Sequence, residues 1–154
     1  MVTAARDMAR RESRPPLVDM ALTATMTGAR PVLFMTWGHQ SGSSEVGHSG
    51  YASMQQAIAG TYQELGDAVA GEMAPVGMAW WMSLAERPDI QLYQPDGSHP
   101  TRAGSYLAAT VITATLLDID PASMDDDLGL DNGQAEALRA FAARAIDGEE
   151  PWSG

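Results

Sequence analysis

The fold is decided by two short apolar runs, Pro31-Val-Leu-Phe-Met-Thr36 and Ala74-Pro-Val-Gly-Met78. Uninterrupted apolar runs of strand length are typical of parallel strands that are buried on both faces. Between them, residues 51–72 repeat apolar side chains at helical spacing, in a stripe of Met54, Ile58, Tyr62, Leu65 and Val69. Strand, helix and strand in this order predict a parallel pair joined by a crossover helix. The predicted fold class is therefore α/β.

The rest of the chain extends this unit in both directions. Further helices are predicted at residues 16–27, 79–86, 101–117 and 134–146. They are separated by loops at 37–50 and 88–100 and by an acidic turn at 118–131. We expect a lead-in at 1–16, the main α/β unit at 17–118, and the acidic turn with its C-terminal helix at 119–154.

The composition excludes several kinds of chemistry. The 154 residues include 9 basic and 20 acidic side chains, for a net charge of −11, which disfavours a nucleic-acid partner. All the basic residues are arginine, which excludes a lysine Schiff base and a Walker-type lysine. The absence of cysteine excludes a thiol nucleophile and a thiolate zinc site. Hydroxyl, carboxylate and imidazole groups remain.

Targeting signals do not decide the compartment. No run approaches the ~18 consecutive apolar residues typical of a spanning helix, so no membrane span is predicted. Arginines precede the mildly apolar run 17–29, but Asp19 and Pro15-Pro16 interrupt the pattern of a signal peptide, and a helix is favoured. A secreted or periplasmic protein and a cytoplasmic one both remain open.

The candidate chemistry lies in the loop Asp96-Gly-Ser-His99. An aspartate three residues before a histidine can accept a hydrogen bond from one ring nitrogen, leaving the other to take a proton from a hydroxyl nucleophile. Pro100 favours an extended backbone at His99 before the next helix begins. By spacing alone, a capping aspartate beside an exposed histidine is the alternative interpretation.

The sequence around this loop resembles a known family. Asp-Gly-Ser-His-Pro-Thr-Arg-Ala-Gly-Ser-Tyr-Leu-Ala-Ala, at 96–109, resembles the last motif block of SGNH (GDSL-like) hydrolases. Met35-Thr-Trp-Gly38 is similar to the end of that family's fourth strand, Tyr51-x-x-Met54-Gln55 to the start of its next helix, and Ala74-Pro-Val-Gly77 to its fifth strand. The resemblance spans about residues 17–117. It implies a partial flavodoxin-like, three-layer α/β/α fold with about two parallel strands.

The same resemblance implies the chemistry. It implies acyl-ester hydrolysis without a cofactor, in which His99 is the general base and Asp96 orients it. The family's Gly-Asp-Ser or Gly-Asn-Ser block is missing here, and the only asparagine is Asn132. The chain therefore resembles the C-terminal part of such a hydrolase, with the nucleophilic serine outside it. Trp37 and Gly38, at the carboxyl edge of the first strand, are the candidate substrate-binding residues. For Trp37, plain packing is the alternative interpretation.

Other candidate sites fit their motifs poorly. Ser41 and Ser49 lie in glycine-containing loops, but neither completes a Gly-x-Ser-x-Gly elbow. The three histidines lack metal-ligand spacing, so no metal is predicted. The acidic run 125–136 approaches a calcium loop, but Leu130 replaces the required glycine, so a solvated turn is expected. Of Trp80 and Trp81, one is expected in the core and the other half-exposed at the cleft.

Two functions follow. The first is the C-terminal part of an esterase that acts on small or carbohydrate-linked acyl esters. The alternative is a non-catalytic truncated relative or a binding module that retained the cleft. A two-strand sheet has unpaired edges, which predict instability or self-association of the isolated chain.

Overall fold

A computed structural model describes residues 18–21 and 23–151 of the chain. The helices are α1 (Tyr51–Val69), α2 (Val76–Glu86), α3 (Arg102–Leu117) and α4 (Asn132–Ile146). The strands are β1 (Val32–Phe34) and β2 (Glu72–Ala74), and 3-10 turns cover Ser44–Val46 and Pro121–Ser123. Residues 18–21 and 23–26 are helical, which agrees with the predicted first helix where it is described. The lead-in 1–16 lies outside the described residues.

The two strands form a parallel sheet, as the sequence predicts. Leu33 of β1 lies opposite Met73 of β2, and α1 connects the strands. Gly66 brings α1 close to both of these side chains: a Cβ atom there would lie 3.5 Å from Met73 Cε and 3.7 Å from Leu33 Cδ1. The α1 helix therefore covers the sheet face that carries Leu33 and Met73, while α3 also packs against β2. The fold is mixed α/β.

The second strand lies earlier in the chain than the predicted Ala74–Met78. It ends at Ala74, Pro75 takes the N-cap position, and α2 begins at Val76. Proline suits the start of a helix because the backbone N–H that it lacks has no helical partner there. The residues from Val76 to Trp80 are all buried, so this part of the helix has no polar face. A helix buried all round has the same apolar pattern as a buried strand, which explains the wrong prediction.

The crossover helix ends three residues before the predicted Glu72. Ala70 adopts a left-handed conformation, with φ +48°, and donates its N–H to the carbonyl of Gly66. Glu72 is instead the first residue of β2. Left-handed C-caps are most often glycine, so an alanine in this position gives no stop signal in the sequence.

The prediction that β1 is buried on both faces is wrong. Val32 and Leu33 are half-buried, and Phe34 is 43% exposed. Within the described residues, β1 pairs with β2 on one side and with no strand on the other. Part of the apolar surface of β1 is therefore not covered by the described residues.

The core lies among α2, α3 and α4, which pack against one another. Its largest fully buried apolar side chains are Trp80, Met82, Ile90, Leu92, Leu107 and Leu138. Trp80 is thus the core tryptophan, and Trp81 is the half-buried one, as predicted. Because Leu138 and Phe141 of α4 join the same core, the C-terminal helix is part of the main unit. In residues 18–21 and 23–151, no helix has the length and apolarity required to cross a membrane.

Candidate functional site

The loop between α2 and α3 brings the Asp96 and His99 side chains together. Asp96 Oδ1 accepts hydrogen bonds from the backbone N–H groups of Ser98 and His99, both at 2.9 Å. Gly97 allows this tight turn because its φ is +68°, a conformation that favours glycine. The second carboxylate oxygen, Oδ2, lies 2.6 Å from Nδ1 of His99. One carboxylate therefore shapes the loop and orients the imidazole.

The protonation of the pair follows from these contacts. The amide of Ser98, then that of His99, and then the His99 ring stabilise the carboxylate and lower the pKa of Asp96 to about 2. An ionised carboxylate only accepts hydrogen bonds, so Nδ1 of His99 must carry the shared proton. Among the described residues, no group forms a hydrogen bond with Nε2. The neutral imidazole is thus held in the tautomer whose Nε2 can accept a proton.

We predict that the Ser98 and His99 amide resonances titrate together with Asp96. The midpoint should be about 2, below the ~3.9 of an unperturbed aspartate. Because the pKa is lowered in the fold, the stabilisation of the loop is complete above about pH 4 and is lost as the pH falls toward 2. Proton NMR between pH 1.5 and 5 measures this midpoint. In Asp96→Asn the shared titration should vanish, and a wild-type midpoint near 4 would contradict the geometry.

The segment that follows β1 holds this loop in place. Trp37 donates its indole N–H to the carbonyl of Ser98 at 3.0 Å. The backbone N–H of Gln40 donates to the carbonyl of Gly97 at 2.8 Å. Tyr93, which precedes the loop, donates its hydroxyl to the carbonyl of Gly38. Three hydrogen bonds therefore connect residues 37–40 to the segment around Asp96 and His99.

A buried glutamine, which the sequence analysis did not identify as a site residue, supports the same segment. Gln55 of α1 is fully buried. Its Oε1 accepts from the backbone N–H of Gly38 at 2.7 Å, and its Nε2 donates to the carbonyl of Thr36 at 3.3 Å. The sequence feature that could have identified Gln55 is its position, because a polar residue four positions before Ala59 lies on the buried face of α1. Gln55 fixes the chain at the carboxyl end of β1.

A cleft of about 360 Å³ lies beside His99. It is lined by Thr36, Trp37, His39, Met54, Ile58, Ser98, His99 and Pro100. Trp37 stacks on the core residue Trp80, with ring centroids 4.2 Å apart and planes 6° from parallel. Gly38 does not line the cleft: it is buried, and its N–H and carbonyl bond to Gln55 and Tyr93. Of the two candidate substrate-binding residues, Trp37 is therefore the one placed to contact a ligand.

A second and larger cleft, of about 620 Å³, lies between β2 and the ends of α1 and α4. Its lining includes the apolar side chains of Met35, Met73 and Met78, with acidic groups at Asp67 and Glu149. Neither imidazole nor hydroxyl groups line it. The imidazole that Asp96 orients lines the smaller cleft instead.

The local serines do not pair with His99. No hydrogen bond in the described part of the chain joins Ser41 or Ser49 to a histidine. The neighbour of Ser49, His48, instead places Nδ1 3.0 Å from the hydroxyl of Ser53, in the first turn of α1. The sequence did not predict the contact between His48 and Ser53, because a histidine and a serine at this spacing match no known motif.

The remaining candidate sites have structural explanations. Carboxylates of the acidic run accept backbone hydrogen bonds nearby: Asp127 from Gly129, and Asp131, the N-cap of α4, from Gln134. Within residues 18–21 and 23–151, no group of three or more acidic or histidine side chains is arranged to hold a metal ion. Trp81 packs edge-on against Tyr51 and lines neither cleft, so its predicted place at the cleft is wrong.

Comparison with known proteins gives a likeness of fold. No protein-family model matches the chain, and no curated protein matches it. It is similar to the crystal structure of a DUF4886 family protein from Bacteroides uniformis ATCC 8492, with a TM-score of 0.69 and 18% identity. The likeness covers 78% of this chain and 49% of that one. The chain therefore spans about half the length of a longer protein that shares its fold.

Proposed function

We propose that this chain is the C-terminal portion of an SGNH-type serine hydrolase that acts on small or carbohydrate-linked acyl esters. The observation that carries the proposal is the Asp96–His99 pair: a carboxylate 2.6 Å from Nδ1 orients an exposed imidazole whose Nε2 remains available beside a cleft. Under this proposal, the two strands and their helices are the back half of a flavodoxin-like, three-layer domain.

The chemistry assigns one role to each group. Nε2 of His99 takes the proton of the serine hydroxyl as its oxygen attacks the ester carbonyl. Asp96 stays ionised and stabilises the imidazolium that forms. His99 then gives this proton to the departing alcohol oxygen as the ester C–O bond breaks, leaving an acyl-enzyme. Water hydrolyses the acyl-enzyme by the same proton transfers, which restores the serine and releases the acid.

The cleft supports a small substrate. Its volume of about 360 Å³ is at the lower end of the ~300–1,000 Å³ typical of ligand pockets. Met54 and Ile58 provide an apolar wall from α1, while Trp37 and His39 come from the loop after β1. An acyl group or a sugar ring would find apolar or aromatic surface within reach of His99.

The unpaired surface of β1 supports the placement of the nucleophile outside this chain. Phe34 on the strand and Leu116 and Leu117 at the end of α3 are large apolar side chains that stay exposed. A further parallel strand and its helix would cover such a surface in a complete α/β domain. The structural neighbour is about twice as long as the part of it that aligns with this chain.

We predict that the purified 154-residue chain does not react with a fluorophosphonate probe. The reason is that no serine hydroxyl is hydrogen-bonded to His99 within the described residues. Gel fluorescence or intact mass measures the labelling, with a known serine esterase as the positive control. Labelling that disappears in His99→Ala would contradict the proposal, since it would identify a nucleophile within the chain.

The coding sequence upstream of Met1 separates the proposal from its alternative. The proposal expects an in-frame Gly-Asp-Ser or Gly-Asn-Ser block there. An in-frame stop codon followed by a ribosome-binding site would instead favour a non-catalytic relative or binding module. In such a protein, Asp96 and His99 would remain beside a retained cleft without taking part in catalysis.

A further inference from the structure

We infer that Trp37 is a positioning residue for His99. Besides lining the cleft, it acts on His99 through a hydrogen bond to the Ser98–His99 peptide group. Its catalytic consequence rests on the proposed function. The positioning itself does not, because it follows from contacts within the described residues.

The peptide group that leads into His99 is fixed from both sides. Its carbonyl, that of Ser98, accepts the indole N–H of Trp37 at 3.0 Å. Its N–H, that of His99, donates to Asp96 Oδ1 at 2.9 Å. Two hydrogen bonds in opposite directions restrain rotation of this peptide plane and so set the direction in which the His99 side chain leaves the backbone.

The donor on Trp37 is itself anchored to the core. The ring stacks on Trp80, which is fully buried, at a centroid distance of 4.2 Å. Trp80 in turn meets Tyr93 edge-on at 5.2 Å. A stacked indole has little freedom to follow the loop, so the position of Ser98 is fixed relative to the core.

His99 depends on this anchoring because it has little packing of its own. Its side chain is 74% exposed, and the one hydrogen-bonded neighbour of its ring in the described residues is Asp96, which belongs to the same loop. An oriented base needs its geometry fixed by surrounding groups. The Trp37 hydrogen bond connects the peptide group of His99 to the segment that follows β1.

Removing the indole N–H should loosen His99 measurably. A hydrogen bond of ordinary net strength corresponds to a ~2- to 10-fold change in a conformational population. We therefore expect the ratio of the Nε2–H to the Nδ1–H tautomer of neutral His99 to rise by about that factor. In the intact hydrolase, kcat should fall by a similar factor while KM changes less than about twofold, because the aromatic surface in the cleft is kept.

The test compares Trp37→Phe with Trp81→Phe, the same change at a tryptophan that contacts Tyr51. Histidine ¹⁵N shifts of this chain report the tautomers. Replacing Trp37 by 3-benzothienylalanine removes the N–H while keeping the ring shape, so it answers the question if Trp37→Phe fails to fold.

A rise in the tautomer ratio of His99 in the Trp37 variants, but not in Trp81→Phe, supports the inference. An unchanged ratio, or an equal rise in Trp81→Phe, overturns it. Because this measurement needs no activity, an inactive intact protein would contradict the proposed function and leave the result for Trp37 standing.

Discussion

Gly77→Ala is expected to destabilise the fold by about 2–6 kcal/mol. A Cβ atom at this position would lie 2.4 Å from the backbone carbonyl of Thr36 and 2.0 Å from Nε2 of Gln55. Overpacking of this kind costs ~1–3 kcal/mol. Displacing Gln55 also removes the partner of the buried Gly38 N–H, and leaving such a donor unsatisfied costs a further ~1–3 kcal/mol. Urea unfolding followed by circular dichroism measures the change.

The matched control is Gly60→Ala, in the interior of α1. Nothing lies within 4 Å of a Cβ atom there, so the methyl group meets open space. Alanine should then stabilise the helix by ~0.5–1 kcal/mol relative to glycine. If Gly77→Ala were as harmless as Gly60→Ala, the tight contact among α2, Gln55 and the end of β1 would be refuted.

If the proposed function is right, His99→Ala is expected to lower kcat by ~10²–10⁴-fold in a longer protein that also carries the proposed upstream serine. The imidazole would move the proton in both halves of the reaction, so its loss affects formation and breakdown of the acyl-enzyme. Asp96→Asn should have an effect of the same order, because it permits the wrong His99 tautomer and removes the charge that stabilises imidazolium. Hydrolysis of a chromogenic acetyl ester at saturating substrate gives kcat directly.

The control for this loss is His48→Ala. His48 contacts Ser53 at the start of α1 and does not line the cleft beside His99. We expect its kcat to stay within about twofold of the wild-type value. A loss confined to His48→Ala would move the catalytic base to the His48–Ser53 pair and contradict the role given to His99.

The strands and helices were predictable where the sequence carries a periodic or terminating signal. The Thr101 and Asp131 caps precede α3 and α4, and both helices begin within two residues of the predicted positions. Around Pro75 the sequence pattern was ambiguous, because Val76–Trp80 is apolar on every side of its helix. The exposure of Phe34 could not be predicted either, since it depends on which strand lies beside β1 and not on β1 itself.

The candidate site was predictable only in its local part. Asp96 and His99 lie three residues apart, so one turn suffices to bring them together. The groups that hold this turn come from far along the chain: Trp37 bonds to a residue 61 positions away, and Tyr93 to one 55 positions away. Spacing within a motif contains no information about such contacts. The sequence therefore predicted the pair, but not the residues that support it.

Under the proposed function, His99 serves a serine outside these 154 residues. Mapping the site of a fluorophosphonate adduct is the sharpest test of this proposal. The protein extended by its upstream coding sequence would be labelled, digested and analysed by mass spectrometry. We expect one adduct, on the serine of a Gly-Asp-Ser or Gly-Asn-Ser block upstream of Met1. An adduct on Ser41, Ser49, Ser53 or any other serine of this chain would contradict it.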